Sequence, residues 1–433
     1  MKPPALERLD SGARLDYGAR LGAGVQVRPR HCMVVHAQYP LHEPRVSREA
    51  EALVAAGYDV DVVCLRQPGQ PARERHRGVE IHRLPVALDK RTPGRQLICY
   101  TRFLLRAAAY LGRVHARRPY GTVQAHNLPD FLVFSALAPK LAGTPVLLDL
   151  HDLMPEFFAA RFGSRPGSPG SALTGLVRAQ ERASCRFADH VITVSDAWRD
   201  ALVERGVPPE KCSVVMNVAD PSIFRRRPRP PRTPASEFRL VYHGQITRRY
   251  GLDLLVHAVK LLQGDIPHLH LTIHGRGDDA SELARLVARL GIAQQVHLSQ
   301  ESLPTEALPD LIAAADLAVV PYRDDVFTDG IVPTKLMEYA AVGVPCVAAR
   351  TSAIERYFTG TMAEFFEPGD AHDLARRIRE LHTDPVRLDE LARRSRRFTD
   401  RYNWEQIGAG YVDLVDRLRV AGVRPATRSG LTT

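Results

Sequence analysis

The chain has 433 residues, of which 45% are apolar and 25% charged. That composition excludes a disordered or collagen-like chain, and no apolar run reaches the ~18 residues that a membrane-spanning helix needs. At roughly 150–200 residues per domain the length predicts two domains, and an excess of 59 basic over 49 acidic residues points to a polyanionic partner.

Residues 1–30 read as a flexible tail that lacks the apolar segment of a secretory signal. A first strand is predicted over 31–37. A helix follows in which Val46, Ala50, Leu53 and Val54 recur at helical spacing up to Gly57. Strands are predicted over 59–65, 79–84, 122–125, 146–150, 190–195 and 212–216, with helices near 97–115, 129–142, 172–187 and 196–205. Strands apolar on both faces and joined by helices imply a parallel sheet covered on both sides. Between Pro221 and Pro234 five Arg and five Pro stand with almost nothing to bury, which reads as a solvated linker. Alternation resumes with strands over 239–243, 268–274, 296–299, 317–322 and 346–349. Helices fall near 251–263, 281–290, 308–315 and 334–341, and two helical stretches, 371–398 and 404–419, close the chain.

The chain therefore divides into a tail (1–30), a first domain (31–220), a linker or hinge (221–236), a second domain (237–400), a final helix (401–420) and a second tail (421–433). Two doubly wound α/β domains place a cleft between the C-terminal edges of their sheets, so the chemistry is expected in loops that follow strands. The six cysteines are scattered and form no Cys-x-x-Cys pair; they read as buried reduced thiols of a cytoplasmic protein, not as metal ligands or disulfides.

Three strand ends carry unusual residues. The segment Leu148-Asp149-Leu150-His151-Asp152 runs off a buried strand into His151, with Asp152 and Glu156 as carboxylates that can hold its tautomer; the alternative is a satisfied structural histidine. In the second, Asp329 and Gly330 precede a helix start at Pro333-Thr334-Lys335, where backbone N–H groups and a cation suit a diphosphate. Glu338, one turn on, suits a vicinal diol such as a ribose, and a solvated Lys–Glu pair is the plain alternative. In the third, Gly244 ends a strand and permits close backbone approach, while Arg248 and Arg249 in the following loop suit a diphosphate leaving group or are ordinary surface charge. His126 and Asn127 end a further strand, either lining the cleft on the acceptor side or holding a loop. Arg45 and Glu156 complete the acceptor-side candidates.

These blocks, with Val214-Val215-Met216-Asn217, Gly343-Val344-Pro345 and Phe366-Glu367-Pro368-Gly369, resemble glycosyltransferase family 4 in this order from Cys32 to near Val415. The resemblance implies the GT-B fold: two Rossmann-like doubly wound domains facing across a cleft, with a C-terminal helix that crosses back to the first. It implies a retaining transferase that moves a sugar from a nucleoside-diphosphate sugar to a hydroxyl of a glycan or glycolipid, in the branch that assembles cell-surface polysaccharide. No metal or other cofactor is expected. By this resemblance His151 contacts the donor sugar and Glu338 the donor ribose.

The departures are specific. A second glutamate common in the family falls on Gly330, for which Asp329 is the neighbouring substitute. The usual diphosphate-binding Arg and Lys fall on Gln245 and Tyr250, which leaves Arg248 or Arg249 with Lys335. The glycine pair of the first loop is replaced by His42-Glu43-Pro44-Arg45-Val46. A nucleotide-sugar epimerase on the same fold and a non-catalytic sugar-nucleotide or membrane-binding scaffold are the rival readings.

Of the 59 basic residues 53 are Arg, and the charge is densest in the linker. The 97–115 segment mixes leucines with Arg102, Arg106 and Arg113. It reads as a crossover helix with its arginines outward, or as a surface that rests on an anionic membrane at the inner face of the cell. Nucleic acid is not an expected partner, because no basic–aromatic platform is present.

Overall fold

The computed structural model describes residues 28–41, 43–88, 91–162, 169–228, 237–301 and 303–422. The expected tails, apart from residues 28–30 and 421–422, and the linker beyond residue 228 lie outside the described residues.

The first sheet contains β1 (Arg30–Val35), β2 (Asp59–Leu65), β3 (Arg73–His76), β4 (Val79–Leu84), β5 (Thr122–His126), β6 (Val146–Leu150), β7 (His190–Thr193) and β8 (Cys212–Val214). Its order is β3-β4-β2-β1-β5-β6-β7-β8, parallel throughout except for the edge strand β3. Every residue of β1, β5 and β6 is buried, as expected of parallel strands covered on both faces. One face carries α1 (Pro44–Ala55). The other carries α2 (Pro93–Arg117), α3 (Leu137–Leu141), α4 (Met154–Phe162), α5 (Pro169–Phe187) and α6 (Asp196–Glu204).

The second sheet has the order β11-β10-β9-β12-β13-β14 and is wholly parallel: β9 (Phe238–His243), β10 (Leu269–His274), β11 (Val296–Ser299), β12 (Leu317–Val320), β13 (Cys346–Ala349) and β14 (Glu364–Phe366). Its helices are α7 (Leu252–Leu262), α8 (Ala280–Leu290), α9 (Leu308–Ala313), α10 (Thr334–Val342) and α11 (Ser352–Tyr357). They are followed by α12 (Ala371–Thr383), α13 (Pro385–Arg394), α14 (Arg396–Arg401) and α15 (Trp404–Gly422). Helix α15 crosses back onto α1, where buried Tyr411 donates to Gln124 Oε1 at 2.6 Å. The architecture is the two-domain GT-B arrangement that the resemblance implied.

Three expectations need correction. The helix predicted over 129–142 is a 3₁₀ segment (Asp130–Ala136) followed by the short α3. Pro139 has no N–H to return to residue 135, so the α-ladder cannot run through it. The 371–398 stretch is broken at Asp384-Pro385, where Asp384 caps α13 through the Arg387 N–H, and again at Ser395. The described part of the supposed linker keeps its arginines exposed but is docked on the second domain. Phe224 is buried in the second domain's core, the Arg227 N–H donates to Val342 O, and the Arg226 side chain lies over Gly343. One aromatic anchor is enough to dock a charge-rich segment.

Candidate active site

On the first-domain side the site is organised by Asp149, which sequence reasoning passed over. Asp149 lies on β6, fully buried, and both carboxylate oxygens accept from Arg45 (Nε–Oδ2 2.8 Å, Nη2–Oδ1 2.9 Å). His126 Nδ1 lies 2.9 Å from Oδ2 and His151 Nδ1 3.6 Å from it, the latter an ion-pair separation longer than a hydrogen bond. Burial alone would raise the Asp149 pKa. The Arg45 guanidinium and the two imidazoles overcome this and hold it well below the carboxylate range. Glu49, the second carboxylate on Arg45, is pushed up by burial. Burial also opposes the imidazolium of His151, but Asp149 outweighs it, so the His151 pKa is raised. His126, Asp149 and His151 have the clustering of metal ligands. Arg45, however, already occupies both Asp149 oxygens, so the carboxylate has no uncompensated charge to offer a cation.

The acceptor-side assignments are corrected by this network. Arg45 is buried beneath the cleft, with Nη1 also donating to Val215 O at 2.7 Å. His126 and Asn127 are buried too. Asn127 accepts from the His151 N–H and donates to Asp130 and to the Asp152 carbonyl, so it holds the His151 loop in place. Glu156 is ion-paired with Arg205 and faces α5 and α6. Asp152, half-buried, has its pKa raised by burial; the carboxylate that sets the state of His151 is Asp149.

On the second-domain side, Gly244 (φ +120°) ends β9, and the neighbouring backbone leaves no room for a side chain: a Cβ on Gly275 would lie 1.8 Å from the Gly244 carbonyl. Helix α10 begins at exposed Thr334 with no side-chain cap, a kind of helix start that suits an anion. Lys335 is buried over Gly244. Its Nζ donates to Tyr322 Oη at 2.7 Å and lies 4.9–5.1 Å from the ring centroids of Tyr242, Tyr250 and Tyr322. Burial lowers the Lys335 pKa, against the favourable influence of Tyr250 and Glu338. Glu338 Oε2 lies 2.6 Å from His243 Nε2, and His243 Nδ1 lies 3.1 Å from Tyr339 Oη.

The two arginines separate. Arg249 reaches across the cleft, its guanidinium 5.1 Å from the Phe157 ring and 5.0 Å from Phe327. Arg248 is exposed, its N–H tied to Asp279, and lines a cavity of about 190 Å³ between α7 and α8. Asp329, the neighbouring substitute for the absent glutamate, is already engaged within its own domain. Its carboxylate accepts from the Ser352 N–H at 2.6 Å and caps α11. At Gly330 a Cβ would lie 2.3 Å from Trp198 Nε1, a buried ring of the other domain. Gly330→Glu should therefore destabilise the fold by about 1–3 kcal/mol and not restore a sugar contact, as a thermal melt will show.

Arg249 and Tyr250 thus face Asp152, next to His151, and Tyr250 packs on Lys335 at the start of α10, on a GT-B scaffold: a glycosyltransferase. The first domain matches the model described as glycosyl transferase 4-like domain over residues 42–218, and the second matches glycosyl transferases group 1 over 237–384; the chain belongs to the family-4 type of glycosyltransferase. Similar proteins include a D-inositol 3-phosphate glycosyltransferase from Thermobispora bispora, 26% identical over 387 residues (83% of this chain, 86% of that one). A putative colanic acid biosynthesis glycosyltransferase, WcaL of Escherichia coli, is 27% identical over 210 residues (48% of this chain, 50% of that one). Among solved structures, Anabaena HepE in complex with UDP-glucose has a TM-score of 0.66 at 17% identity, over 90% of this chain and 99% of that one.

Proposed function

We propose that this enzyme is a retaining, metal-independent glycosyltransferase that moves a sugar from a nucleoside-diphosphate sugar to a hydroxyl of a glycan or lipid-linked acceptor in cell-surface polysaccharide assembly, at the inner face of the membrane. The observation that carries the reading is Lys335: a buried ammonium over Gly244 at the uncapped start of α10, packed on Tyr250, which faces Asp152 next to His151. WcaL, a putative colanic acid glycosyltransferase, and HepE, which is described with UDP-glucose, support the polysaccharide and nucleotide-sugar parts of the reading.

In this reading Glu338, steadied by His243, binds the ribose. Lys335, Arg249 and the α10 amides hold the diphosphate, and His151 as imidazolium donates to the sugar. The C1–O bond to the β-phosphate breaks while the acceptor oxygen bonds C1 on the same face, as in the family it resembles. The acceptor proton passes to the departing phosphate oxygen. Cations and helix-end dipoles stabilise the charge that develops there.

Incubation with UDP-, GDP- and ADP-sugars, with nucleotide release as the readout, tests this. One donor should turn over, and His151→Ala should slow it by about 10²–10³-fold. Glu338→Ala should weaken nucleotide binding in calorimetry with little change in the bound sugar's rate. Unchanged turnover in the His151 variant would remove His151 from the mechanism.

A further inference from the structure

We infer that Phe327 is a positioning residue. Carried from the second domain into the core of the first, it holds the Arg249 guanidinium over the cleft, so a diphosphate meets its full set of cations only when the domains are docked. The inference deepens the proposed transferase reading and rests on it for the diphosphate. Phe327 stands in the loop between β12 and α10 and is 5% exposed. It is buried in the first domain: every other buried member of its apolar cluster comes from residues 32–212. The ring lies between Phe157 of α4, edge-on at a centroid distance of 5.6 Å, and Trp198 of α6, at 5.9 Å.

Local hydrogen bonds make the loop present this side chain. Asp325 Oδ1 accepts from the Phe327 and Thr328 N–H groups at 2.9 and 2.8 Å, an Asx turn that fixes the backbone at the tip. Thr328 is fully buried and donates to Arg323 O. Val326 is left 57% exposed, so the turn sends only one of two adjacent apolar residues into the first domain. Three residues on, the Gly330 backbone packs against the Trp198 indole, and Gly330 O accepts from Ser195 Oγ at 3.2 Å. Polar contacts between α6 and α11 join the same two domains alongside. Tyr357 Oη accepts from the Asp196 N–H and donates to its carboxylate, each at 2.8 Å, and Arg356 pairs with Asp200 at 2.6 Å.

Arg249 depends on this inserted ring in two ways. Its guanidinium lies 5.1 Å from the Phe157 centroid and 5.0 Å from that of Phe327, one ring from each domain, within the ~6 Å reach of a cation–π contact. Its carbonyl accepts from the Arg323 N–H at 3.1 Å, so the loop that carries the phenylalanine also fixes the backbone of the arginine. Among the described residues no carboxylate is ion-paired with Arg249; Asp152 acts on it only from a longer range. Aromatic faces hold a cation without neutralising it, which leaves the guanidinium its charge for a phosphate. The same loop runs on into Thr334 and Lys335 at the start of α10. One loop therefore links the inserted ring to both cations of the diphosphate reading.

The test is Phe327→Leu in the full chain, which keeps an apolar filler but removes the aromatic face. Calorimetry with UDP, GDP and ADP, and with their monophosphates, finds the nucleotide that binds; its release from the matching sugar donor measures turnover. The variant should melt within a few degrees of the wild type. It should nevertheless bind the diphosphate about tenfold more weakly, the size of a desolvated cation–π contact, and turn over donor more slowly by at least that factor. Monophosphate binding should change little. Arg249→Ala should show the same pattern of loss, and adding Phe327→Leu to it should cost nothing further, because residues that act through one contact are not additive. Full diphosphate affinity in Phe327→Leu, equal losses for monophosphate and diphosphate, or losses that add to those of Arg249→Ala overturn the positioning role. So does a melting temperature that falls in step with turnover, which would make Phe327 a packing residue. A wild-type chain that binds none of the three diphosphates overturns the transferase reading and this inference with it. Normal wild-type binding with an indifferent Phe327→Leu overturns the inference alone.

Discussion

Replacing Asp149 with asparagine should lower the unfolding free energy by about 3–5 kcal/mol, measured by urea denaturation, and shift the pH dependence of turnover. The change leaves the Arg45 guanidinium buried with Glu49, a carboxylate that burial already pushes towards neutrality, as its only charged partner. An uncompensated buried cation is among the few single changes that cost this much. The pH terms have opposite signs. The depressed Asp149 pKa contributes stability that is present above the ordinary carboxylate value of about 3.9 and is lost as pH falls through the folded pKa. The raised His151 pKa contributes stability that is complete below about 6.5 and is lost as pH rises through the folded value. The pair therefore stabilises most between about pH 4 and 6.5, and the asparagine variant should lose that maximum. Catalysis should follow. Without Asp149, burial of His151 is opposed by Asp152 alone and its pKa falls, so the alkaline limb of the pH–rate profile should move to lower pH. A profile that does not move would detach Asp149 from the state of His151.

The fold was legible because its signals are local. Apolar runs such as Cys32-Met33-Val34-Val35 and the helix rows closed by Gly57 need no partner to be recognised. The place of Thr334, Lys335 and Glu338 at the start of a helix was legible for the same reason. Asp149 did leave a signal, an acid in a strand otherwise wholly apolar, and parallel strands bury a charge only when it is paired. Its partner Arg45 lies 104 positions away on α1, beyond any spacing argument, which is why Arg45 was placed at the acceptor. The tyrosines around Lys335 come from β9, the loop after it and the loop after β12; only the sheet order brings them together.

Lys335→Met should abolish most donor turnover while leaving the protein as stable as before or more so. Methionine fills the same space between Tyr242, Tyr250 and Tyr322, and Tyr322 keeps its hydroxyl proton for another acceptor. Removing a buried charge that lacks an adjacent carboxylate bond relieves a desolvation cost, so the melting temperature should hold or rise. The sign is fixed by the pKa. Because burial lowers the folded value below the ordinary 10.5, the charged lysine costs stability at all pH below that folded value, and the cost fades as pH climbs towards 10.5. The advantage of the methionine variant should shrink in the same direction. Turnover should fall by about 10²–10³-fold, the range for losing one preorganised group at developing charge. Such a split argues that three tyrosines and a glycine contact hold this cation in an unfavourable place because the diphosphate repays it on binding. A variant that is destabilised yet turns over donor normally would make Lys335 a packing residue and return the diphosphate to Arg249 and the α10 amides.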